Sequence, residues 1–128
     1  MWAYGTTRVV VLSRQPESVS IPSHLDQYVS CSSQQDPGAL LSELSTQGFH
    51  HAYIDGGTTI QSFLRAGLID QLILTRVPLL LGQGISLFSS DDDKPCELQH
   101  EETIDLGNAG LVTSCYTIVK DKKNKTSS

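Results

Sequence analysis

The sequence predicts an α/β protein whose parallel sheet is followed by an antiparallel hairpin. Apolar, β-branched runs alternate with helix-like stretches between residues 8 and 81, and strands that alternate with helices form parallel sheets. Two further β-rich runs, residues 97–106 and 111–119, are joined by the tetrapeptide Gly-Asn-Ala-Gly, which is a strong hairpin signal. The length of 128 residues suits one domain.

Two strands and one helix are expected in the first part of the chain. Residues 8–12 are apolar and β-branched, and residues 28–31 form a second, shorter run. Asp36 and Pro37 mark a helix start, because aspartate caps the first turn and proline suits the first helical position. Gly48 is placed to end this helix.

A strand, a helix and a long strand are expected next. We predict a strand over residues 50–55, a helix with one apolar face over residues 58–66, and a long aliphatic strand over residues 69–81. Pro78 should lie near an edge or an end of that last strand, since proline cannot donate to a ladder. Residues 89–95 are predicted to form a polar, acidic turn region.

The composition excludes several classes of partner. A net charge of -5 provides no basic field for nucleic acid or an anionic membrane, and no apolar run is long enough to span a bilayer. The three cysteines, an odd number without C-x-x-C spacing, favour reduced thiols in the cytoplasm over a disulfide scaffold. We expect residues 1–119 to form the domain and residues 120–128 a disordered, lysine-rich tail.

No metal site is predicted. His50 and His51 are adjacent, so their side chains would diverge on a strand, and no third ligand lies nearby. The run Asp91-Asp92-Asp93 lacks the alternating oxygen ligands of a calcium loop.

Gly56 and Gly57 lie between a strand end and a helix start, which is the arrangement that binds phosphate. Unpaired N–H groups at a helix N-terminus attract anions, and glycine lets a diphosphate approach the backbone closely. Thr58 and Thr59 add hydroxyl donors. A tight turn without a ligand is the alternative. The ordinary dinucleotide fingerprint is absent, because Leu87 stands where the third glycine after Gly82-x-Gly84 would be.

Ser13 and Arg14 follow the first predicted strand directly. A hydroxyl and a guanidinium there suit a phosphate monoester, which arginine binds through two charge-assisted hydrogen bonds. Parallel α/β sheets bind ligands at the carboxyl ends of their strands. One monophosphate site and one diphosphate site together predict NADPH; the alternative for Arg14 is an ordinary surface arginine.

Asp55 directly precedes the two glycines. A carboxylate facing a diphosphate would repel it, so Asp55 is expected to project toward a ligand with hydroxyl or amine donors. The alternative is a helix N-terminal carboxylate that stabilises the macrodipole.

Three stretches of the chain together resemble the dihydrofolate-reductase-like superfamily: "VVVLSR", "YIDGGTTIQSFLRAGLIDQLILTRVPLLLGQGISLF" and "GLVTSCYTIV". The resemblance is nearest to the C-terminal reductase domain of the bifunctional riboflavin-biosynthesis deaminase-reductase. It implies a doubly wound, mostly parallel sheet with a C-terminal antiparallel hairpin, NADPH as hydride donor, and an activity like that of 5-amino-6-(5-phosphoribosylamino)uracil reductase. A homodimer is common in this branch.

The resemblance also implies roles for individual residues. Those matching the segment near the adenosine 2′-phosphate are Leu12, Ser13 and Arg14. Those matching the diphosphate loop are Gly56, Gly57, Thr58, Thr59 and Ile60, with a cis peptide between the two glycines in many relatives. Asp55 matches an acidic position that faces the ribosyl-type substrate.

The resemblance begins after the first strand of the family. Family members start with a central strand and an "S-x-D-G" segment, and no counterpart precedes "VVVLSR" here. We therefore expect an NADPH-dependent reductase domain that is incomplete at its N-terminus, and both an active and an inactive fragment are compatible with the sequence. A non-catalytic nucleotide-binding or scaffold fragment is the alternative function. A metal-dependent phosphate-ester transferase is a third.

Overall fold

In a computed structural model, residues 4–88, 95–107 and 109–120 are described. The chain divides into two compact units, Met1–Ala52 and Tyr53–Ser128. Most of the predicted acidic turn and the tail after Lys120 lie outside the described residues, so both stay predictions. Neither helix in the described part of the chain is long and apolar enough to cross a membrane.

The first unit contains the parallel strands and the first helix. Strands β1 (Val9–Leu12) and β2 (Val29–Ser32) pair in parallel, with Val9 opposite Val29 and Leu12 opposite Ser32. Both strands therefore end at the same edge of this small sheet. Helix α1 (Pro37–Thr46) follows β2, and the buried apolar side chains of the unit are those of Leu25, Val29 and Leu40.

Helix α1 begins and ends where the sequence indicates. The Asp36 Oδ1 accepts a hydrogen bond from the Gly38 N–H at 3.1 Å, which caps the first turn. Gly48 has a φ of 95° and its N–H donates to the Ser45 carbonyl at 3.0 Å. A left-handed glycine that closes the last turn is the expected helix stop.

The second unit contains helix α2 and an antiparallel sheet. Helix α2 (Gly57–Arg65) precedes β3 (Gln71–Arg76), β4 (Leu98–Asp105) and β5 (Val112–Ile118), and the spatial order of the strands is β3-β5-β4. Phe63 of α2 is only 2% exposed and is the largest fully buried side chain among the described residues. Ile69 and Ile118 are the other buried apolar side chains among the described residues of the unit.

The α/β class is confirmed, with a parallel sheet and an antiparallel sheet. The predicted hairpin is confirmed as β4 and β5, and it is closed by a hydrogen bond from the Leu106 N–H to the Leu111 carbonyl at 2.9 Å. The antiparallel part is larger than expected, because β3 pairs with β5 along its whole length.

Two predicted strands were wrong in extent. Residues 50–55 form no strand, and β3 stops at Arg76 instead of continuing to Leu81. A strand exists only where a neighbour completes its ladder, and Arg76 is opposite Val112, the first residue of β5. Beyond that point Pro78 lacks an N–H, and Leu80 is 98% exposed. An apolar run alone therefore did not make a strand there.

Lys120 ties the segment that follows β5 to the connection between α2 and β3. Its Nζ donates to the Gly67 carbonyl at 2.9 Å and to the Ile69 carbonyl at 2.7 Å, and it lies 3.5 Å from the Asp70 Oδ1. The Asp70 side chain is 88% exposed, so this ion pair contributes little. The two carbonyl bonds, made by a charged donor, are the stronger part of the contact.

We expect Lys120→Met to lower the free energy of unfolding by about 1–2 kcal/mol, because two carbonyls lose a charged donor. Asp70→Asn is the matched control and should change it by less than about 0.5 kcal/mol. Urea unfolding midpoints of the two variants measure this. Equal losses would contradict the assignment, since they would make the ion pair the important contact.

Candidate functional site

The turn into α2 requires glycine at position 56 for a backbone reason. Gly56 has φ 95° and ψ 130°, a conformation that residues with a Cβ rarely adopt. Its carbonyl accepts the first hydrogen bond of the helix, from the Ile60 N–H at 2.8 Å. The reversal at Gly56 therefore determines where α2 begins and which amides face outward. The peptide bond between Gly56 and Gly57 is trans, contrary to the cis bond that the resemblance implies.

Asp55 accepts a hydrogen bond from one of the N–H groups at this turn. Its Oδ1 accepts a hydrogen bond from the Gly56 N–H at 2.8 Å. The carboxylate thus lies at the N-terminus of α2, where it stabilises the positive end of the macrodipole. This contact is the one expected from the alternative interpretation of Asp55.

Three amides at the start of α2 remain for an anion. The N–H groups of Gly57, Thr58 and Thr59 donate no hydrogen bond to any described residue. The first N–H groups of a helix have no partner within the helix and point along its axis. Three such donors, with two threonine hydroxyls beside them, are chemically suited to phosphate oxygens.

Gly57 has no structural requirement for glycine. It is the first residue of α2, and a Cβ at this position would meet no atom within 4 Å. Glycine in a helix is less stable than alanine by up to about 1 kcal/mol. The backbone at this position is therefore left open at a cost in stability, as expected where a ligand approaches the main chain closely.

Ser13 and Arg14 stand at the carboxyl edge of the parallel sheet. The Ser13 N–H donates to the Ser32 carbonyl at 3.0 Å, which extends the pairing of β1 and β2 by one residue. The Ser13 Oγ accepts from the Gln15 N–H at 3.1 Å, so its own proton remains available. The Arg14 side chain is exposed, and it forms no ion pair or hydrogen bond with another described residue.

The same turn follows β2, which the sequence analysis did not identify. The Ser32 Oγ accepts from the Gln34 N–H at 3.1 Å, as Ser13 does with Gln15. The signal was present in the sequence, since Ser-x-Gln occurs at the carboxyl end of both parallel strands. Two hydroxyl groups are thereby fixed by hydrogen bonds at the same edge of the sheet.

The predicted site residues fall into two clusters, one in each unit. Leu12, Ser13 and Arg14 lie at the end of β1 in the first unit, and Leu12 is half-buried. Residues 55–60 lie at the start of α2 in the second unit, where Thr58 is exposed and Ile60 is half-buried. No group of three or more His, Cys, Asp or Glu side chains among the described residues is placed to hold a metal ion.

An apolar pocket of about 140 Å³ lies between α2 and the antiparallel sheet. The residues that line it are Leu64, Leu72, Leu74, Leu87, Phe88, Cys96 and Leu98. It has no polar lining side chain and is smaller than a typical small-molecule site. Leu87 and Phe88 line it together with Leu64 of α2, which brings the loop after β3 close to the helix.

The chain belongs to the RibD C-terminal domain family, whose model matches residues 3–111. No curated protein is significantly similar to it in sequence. Among solved structures that share its fold is a protein described as a riboflavin biosynthesis protein from Shewanella sp. PV-4, with 29% identity and a TM-score of 0.77. That match covers 93% of this chain and 64% of the Shewanella chain. The fold is accordingly of the dihydrofolate-reductase-like kind.

Two further structures agree on the fold. RibD of Acinetobacter baumannii is 25% identical with a TM-score of 0.64, and the match covers 86% of this chain and 31% of that one. A pyrimidine reductase-like protein of Corynebacterium diphtheriae is 23% identical with a TM-score of 0.62, covering 88% and 50% respectively. The chain thus spans between about a third and two thirds of the length of these relatives.

The two glycines should respond oppositely to alanine. Gly57→Ala should raise the free energy of unfolding by about 0.5–1 kcal/mol, because position 57 is helical and open. Gly56→Ala should lower it by about 1–2 kcal/mol, because φ 95° is strained for any residue with a Cβ. Thermal or urea unfolding measures both variants. Destabilisation by Gly57→Ala would mean that the glycine serves the fold and not a ligand.

Proposed function

We propose that this chain is an NADPH-dependent reductase domain of the riboflavin-biosynthesis type. Its substrate would be a pyrimidine ribosylamine such as 5-amino-6-(5-phosphoribosylamino)uracil. Family membership over residues 3–111 and the similarity to a riboflavin biosynthesis protein support this reaction class. The observation on which the proposal chiefly rests is Gly57, a helical glycine that no described neighbour requires.

The start of α2 fits the diphosphate of the cofactor. The amides of Gly57, Thr58 and Thr59 have no partner among the described residues, and the absent Cβ at Gly57 leaves room for phosphate oxygens next to the main chain. Ile60 follows them and begins the apolar face that holds α2 on its core. When bound, NADPH would supply the hydride; the chain's own part is to bind and orient it.

Ser13 and Arg14 fit the phosphate that distinguishes NADPH from NADH. The Ser13 hydroxyl is oriented by the Gln15 N–H, and the Arg14 guanidinium has no partner among the described residues that it would have to give up. Leu12 is the half-buried last residue of β1 and directly precedes this turn. A guanidinium forms two parallel hydrogen bonds with a phosphate monoester, which a neutral ribose hydroxyl cannot accept equally well.

Asp55 is proposed to face the substrate. Its bond to the Gly56 N–H at 2.8 Å fixes the carboxylate at the edge of the anion site. A fixed carboxylate selects hydroxyl and amine donors and repels phosphate, so it separates the sugar of a substrate from the diphosphate of the cofactor. The free thiols of all three cysteines support a cytoplasmic location for this activity.

The alternative is a nucleotide-binding or scaffold fragment without catalysis. It rests on the same amides of Gly57, Thr58 and Thr59, which would bind a nucleotide whether or not hydride transfer follows. Titration with NADPH, followed by measurement of oxidation with the pyrimidine substrate, separates the two functions. Tight binding with no oxidation of the cofactor would favour the non-catalytic function, and no binding would refute both.

Arg14→Ala should weaken NADPH binding by about 1.5–3 kcal/mol, the value of a lost charged hydrogen bond. NADH binding should change little, because NADH lacks the 2′-phosphate. Dissociation constants from the quenching or enhancement of reduced-nicotinamide fluorescence measure both. Equal losses for the two cofactors would remove the 2′-phosphate role from Arg14.

Gly57→Ala should weaken the binding of NADPH and NADH alike by at least about 1.4 kcal/mol, or tenfold, because a Cβ would displace the diphosphate. The matched control is Gly38→Ala in the first turn of α1, where a Cβ would lie 3.6 Å from the Asp36 Oδ1 in ordinary contact. The control should leave both affinities unchanged. A Gly57→Ala protein that binds as the wild type does would place the diphosphate elsewhere.

A further inference from the structure

Residues 82–88 form a loop with a defined shape after the apolar run that follows β3. Gly82 has a φ of 76°, which favours glycine. A Cβ at Gly84 would lie 2.7 Å from the Leu81 Cδ2, which is the end of an exposed, flexible side chain that can move aside. Leu81 therefore lies close to Gly84, and the positive φ of Gly82 is the feature of this turn that favours glycine.

Gln61 ties the loop to α2. Its Nε2 donates a hydrogen bond to the Ser86 carbonyl at 2.7 Å, between residues 25 positions apart. Gln61 lies one turn after Gly57, and side chains of a helix tilt toward its N-terminus. The Gln61 amide therefore brings the Ser86 carbonyl alongside the first turn of α2, which carries the candidate diphosphate amides.

A second contact fixes the far end of the loop. Leu87 and Phe88 line the apolar pocket together with Leu64 of α2. Gln61 and Leu64 are three residues apart, so the loop is held along one side of the helix. Ile85, which directly precedes the tethered Ser86, is 93% exposed, and nothing in the described unit explains why an isoleucine is presented there.

We infer that Gln61 is a positioning residue that holds the 82–88 loop as a wall of the dinucleotide site at the start of α2. The inference rests on the proposed function, because it assumes that a dinucleotide binds at those amides. A loop already held in place loses less conformational entropy when the ligand binds. Its exposed isoleucine, next to the tethered Ser86, would then exclude water from one side of the bound cofactor.

The test compares Gln61→Met with Gln99→Met in the full chain. Methionine has nearly the shape of glutamine and lacks the N–H donor, so the first variant removes the tether alone. Gln99 is an exposed residue of β4 in the same unit and serves as the control. Hydrogen–deuterium exchange of residues 83–87 and the dissociation constant of NADPH are measured for wild type and both variants.

We expect three results together. Exchange of residues 83–87 should be faster in Gln61→Met without ligand; NADPH should slow this exchange in the wild type by several-fold; and the dissociation constant should rise about 3- to 10-fold in Gln61→Met, the effect of one hydrogen bond. Gln99→Met should match the wild type throughout. Gln61→Arg, which keeps a donor, should restore slow exchange in the ligand-free protein.

Two outcomes would overturn the inference, and they differ from each other. If the wild type binds NADPH but neither its loop exchange nor the affinity of Gln61→Met changes, the loop is not part of the site while the proposed function stands. If the wild type does not bind NADPH, the proposed function fails, and the positioning role fails with it even where exchange confirms the tether.

Discussion

The reversal of the main chain at Gly56 is the constraint on which the candidate site depends. Because its φ is 95°, the chain enters α2 with the Gly56 N–H turned to the Asp55 carboxylate and the next three amides turned outward. A residue with a Cβ would be strained here. The same backbone geometry therefore brings the Asp55 carboxylate and three amides that have no partner among the described residues into one short segment.

The candidate anion site consists of backbone amides, and the packing of α2 on its core supports it. Helix α2 can leave its first turn open because its other face is anchored by Phe63, which is 2% exposed. Most of the stability of a short helix comes from such packing and little from its first turn. Glycine at position 57 lowers the stability of the first turn of α2, and the fold tolerates this because the helix is held by the burial of Phe63.

The antiparallel sheet and the loop after β3 play complementary parts in the second unit. Lys120, which follows β5, donates to the Gly67 and Ile69 carbonyls just after α2. Gln61 holds the 82–88 loop at the side of the helix through the Ser86 carbonyl. Both contacts join residues that are distant in sequence. The Lys120 contacts thereby fix the C-terminal end of α2. The Gln61 contact brings the 82–88 loop to the side of the helix and leaves the amides of its first turn unoccupied by described residues.

The sequence by itself determined the elements whose causes are local. Helix α1 follows from the Asp36-Pro37 pair, the hairpin follows from its Gly-Asn-Ala-Gly connection, and the family follows from motifs carried by contiguous residues. Only the tertiary structure decided what depends on partners. Residues 50–55 and 77–81 have the composition of strands, yet no ladder partner is described for them, and the Gln61 tether joins residues 25 positions apart. Hydrogen bonds of that kind depend on which segments meet in the folded protein, and the local propensity of a segment does not specify its partner.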